Sequence, residues 1–110
     1  LIVNRACVET CVPLVDAGVD GLNGSLYTYR PGQTACLACY YGDVASEKSA
    51  PIPSFAPIVS AISSLEAQSA ANILLGFPNP TDGRMLLFDG ASMTTEFVSI
   101  SKNPNCPICS

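Results

Sequence analysis

The sequence predicts an α/β fold in which a small β-sheet packs against one long helix. Residues 57–75 carry apolar side chains at helical spacing and a single charged residue, Glu66. We therefore expect a buried helix that is enclosed on more than one side. Ser25–Tyr29 is an aromatic and β-branched run that alternates as a half-buried strand does. Near the C-terminus, Arg84–Phe88 and Thr95–Ser101 flank an Asp-Gly turn signal and are predicted to form a hairpin.

The first part of the chain predicts the end of a helix, a short strand and a turn-rich segment. Asn4–Cys11 has the pattern of a helix that ends before Pro13. Val12–Val15 is a short apolar run typical of a buried strand. Val19–Gly24 is rich in Gly, Asn and Asp, which predicts a connection leading into the strand at Ser25–Tyr29.

A long loop separates that strand from the long helix. Residues 40–55 show no hydrophobic periodicity, and loops of about fifteen residues in compact domains are usually functional or disordered. The helix is predicted to begin at Pro57, because proline suits the first helical turn. It is predicted to end near Gly76, a plausible C-cap that is followed by Pro78.

The composition excludes several classes of protein. A chain of 110 residues makes at most one small domain, and 48% hydrophobic residues exclude intrinsic disorder. Only 13% of the residues are charged, about half the ~25% usual for soluble domains. We therefore expect part of the surface to face more protein, as in a piece of a longer chain. No run reaches the roughly 18–20 uninterrupted apolar residues of a membrane span. The net charge of −4 makes nucleic acid an unexpected partner.

Cysteine is the most informative residue type. Cys36 and Cys39 form one CxxC pair, and Cys106 and Cys109 form another. The second pair follows the Asn- and Pro-rich segment Asn103–Asn105, which is expected to hold its backbone rigid. Two such turns can place four thiolates around one zinc ion, and a shell of four thiolates leaves no open position for water. The sequence therefore predicts a structural zinc site. A disulfide framework and redox-active dithiols stay open as alternatives.

Two further cysteines differ from this pattern. Cys7 and Cys11 are four residues apart, so they share one face of the predicted helix. Because cysteine is among the most frequently buried residues, we expect a core role for both. A reactive thiol is the alternative, although the chain contains no histidine to activate it and only Arg5 lies close in sequence.

An ordered set of short motifs covers nearly the whole chain. The motifs are Asn4, Cys7, Val12–Val15, Gly18, Gly24–Tyr27, Tyr29–Gly32, Cys36–Cys39, Pro57–Val59, Leu65–Ala67, Gly83, Leu87–Gly90, Phe97, Ile100, Asn103–Pro104 and Cys106–Cys109. Taken in order, this set resembles the ThiF/MoeB/HesA family of adenylating enzymes. The resemblance implies that residues 1–110 form the C-terminal half of a single Rossmann-like domain. That half would contain a mixed β-sheet, the long buried helix and the four-cysteine zinc site.

The resemblance also implies a function for the parent protein. Enzymes of this family use ATP and magnesium to adenylate the C-terminal glycine of a ubiquitin-like or sulfur-carrier protein. Their nucleotide-binding half precedes the part that this chain resembles, and Gly21–Gly24 lacks the spacing of a phosphate-binding loop. We therefore assign no catalytic or nucleotide-binding residue here and expect the chain alone to be inactive. The parent is expected to be a cytoplasmic homodimer without a nucleic-acid or membrane partner.

The resemblance identifies residues 40–55 as a crossover loop that covers the carrier's tail. Some members have a cysteine there that accepts the activated carboxylate, and this chain has Ser49 or Ala50 at that position. We therefore expect the parent to stop at the acyl-adenylate or to pass it directly to another thiol. Cys11 is the one alternative acceptor.

A strand face is the expected contact surface for the carrier, with plain core packing as its alternative. Its residues are Leu26, Thr28, Leu86, Phe88 and Phe97. Asp89 is explained by an Asp-Gly turn without any catalytic role. Two other hypotheses for the whole chain remain: a non-catalytic, zinc-stabilised protein-interaction module that binds a small carrier protein, and a secreted disulfide domain.

Overall fold

The computed structural model describes residues 2–41 and 53–109. The elements in these ranges follow the order α1 (Ile2–Thr10), β1 (Leu14–Asp20), β2 (Asn23–Tyr29), α2 (Leu37–Tyr41), α3 (Ala56–Leu75), β3 (Arg84–Asp89) and β4 (Thr94–Ser99). The predicted first helix, long helix and C-terminal hairpin are confirmed. The predicted loop at 40–55 begins too early, because Tyr40 and Tyr41 belong to α2. Its residues 42–52 lie outside the described residues.

The four strands form one antiparallel sheet in the order β1-β2-β3-β4. The expected mixed sheet is therefore wrong for the residues described here, where parallel pairing is confined to two isolated bridges. Short connections account for two of the three pairings, since antiparallel neighbours can be joined by a tight turn, whereas parallel neighbours need a long crossover.

The first strand is longer than the sequence predicts, because Val12–Val15 was expected and β1 runs from Leu14 to Asp20. β1 pairs with β2 from Leu14 opposite Tyr29 to Asp20 opposite Asn23. Only Gly21 and one further residue form the turn, and Gly21 has a φ of 60°. A positive φ at the first central position is the geometry in which glycine closes a two-residue hairpin. The segment Val19–Gly24, predicted as a connection, is therefore mostly strand.

The long helix α3 has the predicted ends. A proline stands at the first helical turn, and Gly76 adopts a left-handed conformation with φ 72° at the C-cap. The Phe77 N–H donates to the carbonyl of Asn72 at 2.9 Å, which satisfies one of the last carbonyls of the helix. On the inner face, Ile58, Ile62 and Ser69 are buried at a helical spacing.

Only one face of α3 is buried, so the expectation of a helix enclosed on more than one side is wrong for the described chain. Val59 is 37% exposed, Leu74 86% and Leu75 64%. These apolar residues lie around a helix that packs on a single sheet face, and the described residues place nothing over the opposite side. By length and composition α3 could also cross a membrane, and in the structure its Ile58 and Ile62 pack against the sheet.

The sheet has two different faces. Gly24 lies against Ile62 of α3, and Leu26 and Thr28 share its face because side chains alternate along a strand. The opposite face carries a second buried cluster, whose members are Tyr27, Tyr29, Cys36, Leu37, Ala38, Met85 and Cys106. The molecule therefore consists of α3, the sheet and a cysteine-rich layer, in that order.

A buried polar network holds the C-terminal half of α3 to β2. The hydroxyl oxygens of Thr28 and Thr81 lie 2.8 Å apart, and Ser69 Oγ lies 3.2 Å from Thr81 Oγ1. Asn79 Nδ2 donates to Thr28 Oγ1 at 3.2 Å and to Asp82 Oδ1 at 2.9 Å. These bonds offset the cost of burying the hydroxyl groups and the Asn79 Nδ2, while Asn79 Oδ1 has no hydrogen-bond partner among the described residues.

The close approach of α3 to β2 can be tested with Gly24→Ala. The new Cβ would overlap Ile62 Cγ1 and lie 2.7 Å from its Cδ1, and a β-branched side chain in a helix has one strongly preferred χ1 rotamer. We expect a loss of about 1–3 kcal/mol in the free energy of unfolding, as for other overpacked sites. Urea denaturation measures it.

The control for this variant is the double-mutant cycle with Ile62→Ala. Removing the Ile62 side chain opens the space that the Gly24→Ala methyl group needs, so the cost of the glycine substitution should largely disappear in that background. An equal cost in both backgrounds would show that Gly24 is required for another reason.

Candidate metal centre

The first CxxC pair is positioned by a tight turn after β2. The Arg30 carbonyl accepts hydrogen bonds from the N–H groups of Gln33 and Thr34, and the Arg30 N–H donates to Thr34 Oγ1 at 2.8 Å. Below the turn, the Tyr27 hydroxyl donates to the Ala35 carbonyl at 2.6 Å. These bonds fix the backbone where Cys36 leads into α2.

The second CxxC pair follows β4 in a turn built by asparagine and proline. Asn103 Oδ1 accepts the N–H of Asn105 at 2.9 Å, and the Asn103 carbonyl accepts the N–H of Cys106 at 3.0 Å. Asparagine side chains commonly form such local turns. The rigid, Asn- and Pro-rich segment predicted before Cys106 is therefore present as a hydrogen-bonded turn.

The two pairs meet, and their four sulfur atoms all lie within 4.8 Å of one another. Cys36 Sγ is 3.7 Å from Cys106 Sγ, Cys39 Sγ is 3.4 Å from Cys109 Sγ, and Cys36 Sγ is 4.0 Å from Cys39 Sγ. A tetrahedral zinc with Zn–S bonds of about 2.3 Å places its sulfur ligands about 3.8 Å apart. A disulfide bond needs about 2.05 Å. The cluster therefore fits a four-thiolate metal site and does not fit two disulfides.

Because the cluster is buried, ionisation of all four thiols is unfavourable unless a cation is bound. Cys36 is 0% exposed and Cys106 is 1% exposed. Burial raises the pKa of Cys36, which the Asn4 amide opposes, and burial together with the neighbouring Cys39 thiol raises the pKa of Cys109 to about 12. A divalent cation would compensate for the charge that these thiols acquire on ionisation.

One thiol ionises more readily than an ordinary cysteine. Burial acts to raise the pKa of Cys106, but hydrogen bonds from the backbone N–H groups of Cys109 and Ile108 outweigh it and bring the pKa to about 7. On the sheet side, burial raises the pKa of Tyr27 to about 12, so its hydroxyl stays neutral as the donor to Ala35. The site thus combines a Cys106 thiol of lowered pKa with a neutral Tyr27 hydroxyl.

The other two cysteines lie outside this cluster. Cys7 is half-buried on α1, and Cys11 is exposed with a φ of 55° just after that helix. The expected core role is therefore wrong for Cys11, because the helix ends one residue before it and the chain turns away from the core. Ser49 and Ala50, the positions predicted to replace a loop cysteine, lie outside the described residues.

The sequence prediction missed the role of Asn4 in this centre. Asn4 is 1% exposed, and its Oδ1 accepts the N–H of Leu37, the residue after Cys36, at 2.9 Å. Two sequence signals point to Asn4. It is one of the family-like motifs, and it precedes Cys7 and Val8 by three and four residues and so shares their helix face.

The predicted carrier-contact face is divided between core and surface. Leu26, Thr28 and Leu86 are buried, which agrees with the alternative of core packing for these three. Phe97 is 40% exposed, and the Arg84 guanidinium lies 4.3 Å from the centre of its ring. Among the described residues of this face, those at the β3–β4 end are the ones available for contact.

Comparison with known proteins identifies the fold. The chain is 28% identical over 108 residues to protein HesA of Leptolyngbya boryana, covering 98% of this chain and 39% of that protein. It is 27% identical over 110 residues to the molybdopterin-synthase adenylyltransferase of Escherichia coli, covering 96% and 44%. It thus spans less than half the length of these relatives.

Solved structures show the same fold at lower identity. Escherichia coli MccB with ATP superposes with a TM-score of 0.82 at 18% identity, covering 98% of this chain and 34% of that one. The heterocyclase TruD gives 0.80 at 16% identity, covering 99% and 20%. The family model described as "ThiF family" matches residues 1–108. The chain therefore belongs to the ThiF family.

Proposed function

We propose that this chain is the zinc-stapled, C-terminal portion of an ATP-dependent enzyme that adenylates the C-terminal glycine of a ubiquitin-like or sulfur-carrier protein. The ThiF-family match over residues 1–108 carries this proposal. It is supported by the relatives, one of which is named as a molybdopterin-synthase adenylyltransferase. The chain spans 44% of that relative, which leaves room for a separate nucleotide-binding half in the parent.

ATP and magnesium would bind to that other half. Gly21 and Gly24 belong to a β-hairpin and open no helix, so they do not form a phosphate-binding loop. Two features of the described chain suit the attachment of more protein. β1 is at the edge of the sheet, and the outer face of α3 exposes Leu74 and Leu75. A nucleotide-binding half and a second copy of the parent would cover such surfaces.

Zinc would bind to Cys36, Cys39, Cys106 and Cys109 and would act as a staple. Four thiolates fill a tetrahedral shell, so the metal would have no open position for substrate or water. The staple joins the turn after β2 to the segment after β4, on the sheet face opposite α3. Cysteines that bind a structural metal as thiolates persist in reducing compartments, which supports a cytoplasmic location.

The carrier would contact the β3–β4 end of the sheet and the crossover loop. Phe97 provides exposed aromatic surface there, with Arg84 stacked on it. Because Ser49 or Ala50 replaces the loop cysteine in sequence, the parent would stop at the acyl-adenylate or pass it directly to another thiol. Cys11 is exposed just after α1 and is the one alternative acceptor.

ATP–pyrophosphate exchange by the full-length parent is the test of this activity. We expect exchange that depends on the carrier and disappears when the carrier lacks its C-terminal glycine, while the 110-residue chain alone shows none. Mass spectrometry of the same reaction should find no carrier adduct on Cys7 or Cys11. Carrier binding without exchange would instead support the alternative, a non-catalytic, zinc-stabilised interaction module.

The carrier surface is tested by Phe97→Ala in the parent. Loss of one aromatic contact worth about 1 kcal/mol should raise the KM for the carrier about fivefold, with the KM for ATP unchanged. Val98→Ala is the matched control, since Val98 is equally exposed, at 39%, but points to the other sheet face. Equal effects of the two substitutions would contradict the proposed surface.

The metal staple is tested by metal analysis and chelation. We expect one zinc per chain, lost in Cys36→Ser and Cys106→Ser, together with a lower Tm because metal binding is coupled to folding. Cys11→Ser is the control, because this exposed thiol lies outside the cluster. Equal thermal stability with and without chelator would contradict a structural zinc.

A further inference from the structure

The one fully buried residue of the first helix is polar. Asn4 is the only buried residue of α1, at a position where a helix normally buries an apolar side chain. It is directed at the metal centre, since its side-chain oxygen accepts the N–H of Leu37 at 2.9 Å. Leu37 follows Cys36 and begins α2, so this bond satisfies an N–H that has no partner within its own helix.

The oxygen contact fixes the direction of the amide. The Leu37 N–H is a donor and requires the oxygen of Asn4, so Nδ2 must point the other way. There Nδ2 is buried and has no hydrogen-bond partner in the part of the chain that the structure describes. Because Oδ1 accepts the N–H of the residue that follows Cys36, this amide lies at the first CxxC turn, whose sulfur atoms belong to the four-cysteine cluster. A buried donor that has no acceptor among the described residues, beside a candidate metal site, is an observation that the fold alone does not explain.

We propose that Asn4 is a positioning residue of the metal centre, whose Nδ2–H donates to the metal-bound Cys36 thiolate while its Oδ1 holds the backbone at Leu37. This inference depends on the proposed zinc site. A thiolate accepts a hydrogen bond more strongly than a thiol does, because its charge strengthens the bond. Metal binding would therefore supply the acceptor that the Asn4 amide lacks and would hold α1 against the first CxxC turn.

The hydrogen bond has a measurable consequence at the sulfur. Donation to a coordinated thiolate lowers the energy of the sulfur lone pairs, so its loss should move the sulfur-to-metal charge-transfer band to lower energy. Partners of this kind typically change metal affinity by 10–100-fold. Co²⁺ is a suitable probe, because it occupies tetrahedral thiolate sites and has such a band, whereas Zn²⁺ has filled d orbitals.

The experiment compares Co²⁺ binding by the wild-type chain, Asn4→Asp and Asn4→Leu. Asn4→Asp keeps an oxygen for Leu37 but loses the amide donor, and Asn4→Leu loses both. We expect a 10–100-fold lower Co²⁺ affinity and a red-shifted charge-transfer band in both variants. Asn72→Asp is the matched control: Asn72 Oδ1 accepts a hydrogen bond from Gln68 on α3, and this variant should match the wild type.

A second measurement requires no mutation. In wild-type protein loaded with ¹¹³Cd, an Asn4 side-chain proton should show scalar coupling to the metal across the hydrogen bond. Absence of that coupling, or an unchanged charge-transfer band in Asn4→Asp, would overturn the proposal even if the affinity fell, because the contact would then be only structural. Failure of the wild type to form a four-sulfur Co²⁺ site would instead overturn the zinc proposal itself.

Discussion

The cysteine layer of this molecule depends on one constraint. Two short cysteine turns that are distant in sequence must come together in space. Cys36 and Cys106 are separated by 70 positions, yet their sulfur atoms lie 3.7 Å apart in the interior. Closing a loop of that length costs conformational entropy, and burying thiols that must ionise costs solvation. A metal bound by all four thiolates would offset both costs, and its binding free energy would contribute directly to folding.

The two faces of the sheet are stabilised by different contacts. On one face, Gly24 admits Ile62 and brings α3 close to β2. On the other, Tyr27 and Met85 pack beneath the cysteine turns. The chain thus has a helix-covered face and a thiol-covered face, while the outer side of α3 is exposed within the described residues. Such a surface suits a chain that spans less than half of its relatives.

Local signals in the sequence predicted much of this structure. The CxxC spacing, the turn before Cys106, and the Pro57 and Gly76 ends of α3 are all set by residues close together in the chain. Features set by distant contacts were predicted less well. The full length of β1 depends on pairing with β2, and the exposed outer face of α3 cannot be distinguished from a buried one by its apolar pattern.

Asn4 illustrates the same limit at the candidate site. Asn4 accepts a hydrogen bond from the N–H of Leu37, which is 33 positions away in sequence. No local pattern indicates that contact. The residue was recognised only as one member of a family-like set of motifs. Its burial, and the lack of a partner for its amide nitrogen among the described residues, point to the metal centre only because the four sulfur atoms lie close together in the folded chain.

Zinc K-edge X-ray absorption of the purified chain tests the central claim most directly, because it reports the number, type and distance of the atoms around the metal. We expect one shell of four sulfur atoms at about 2.3 Å. A shell containing nitrogen or oxygen ligands, or a folded chain without zinc, would contradict the account.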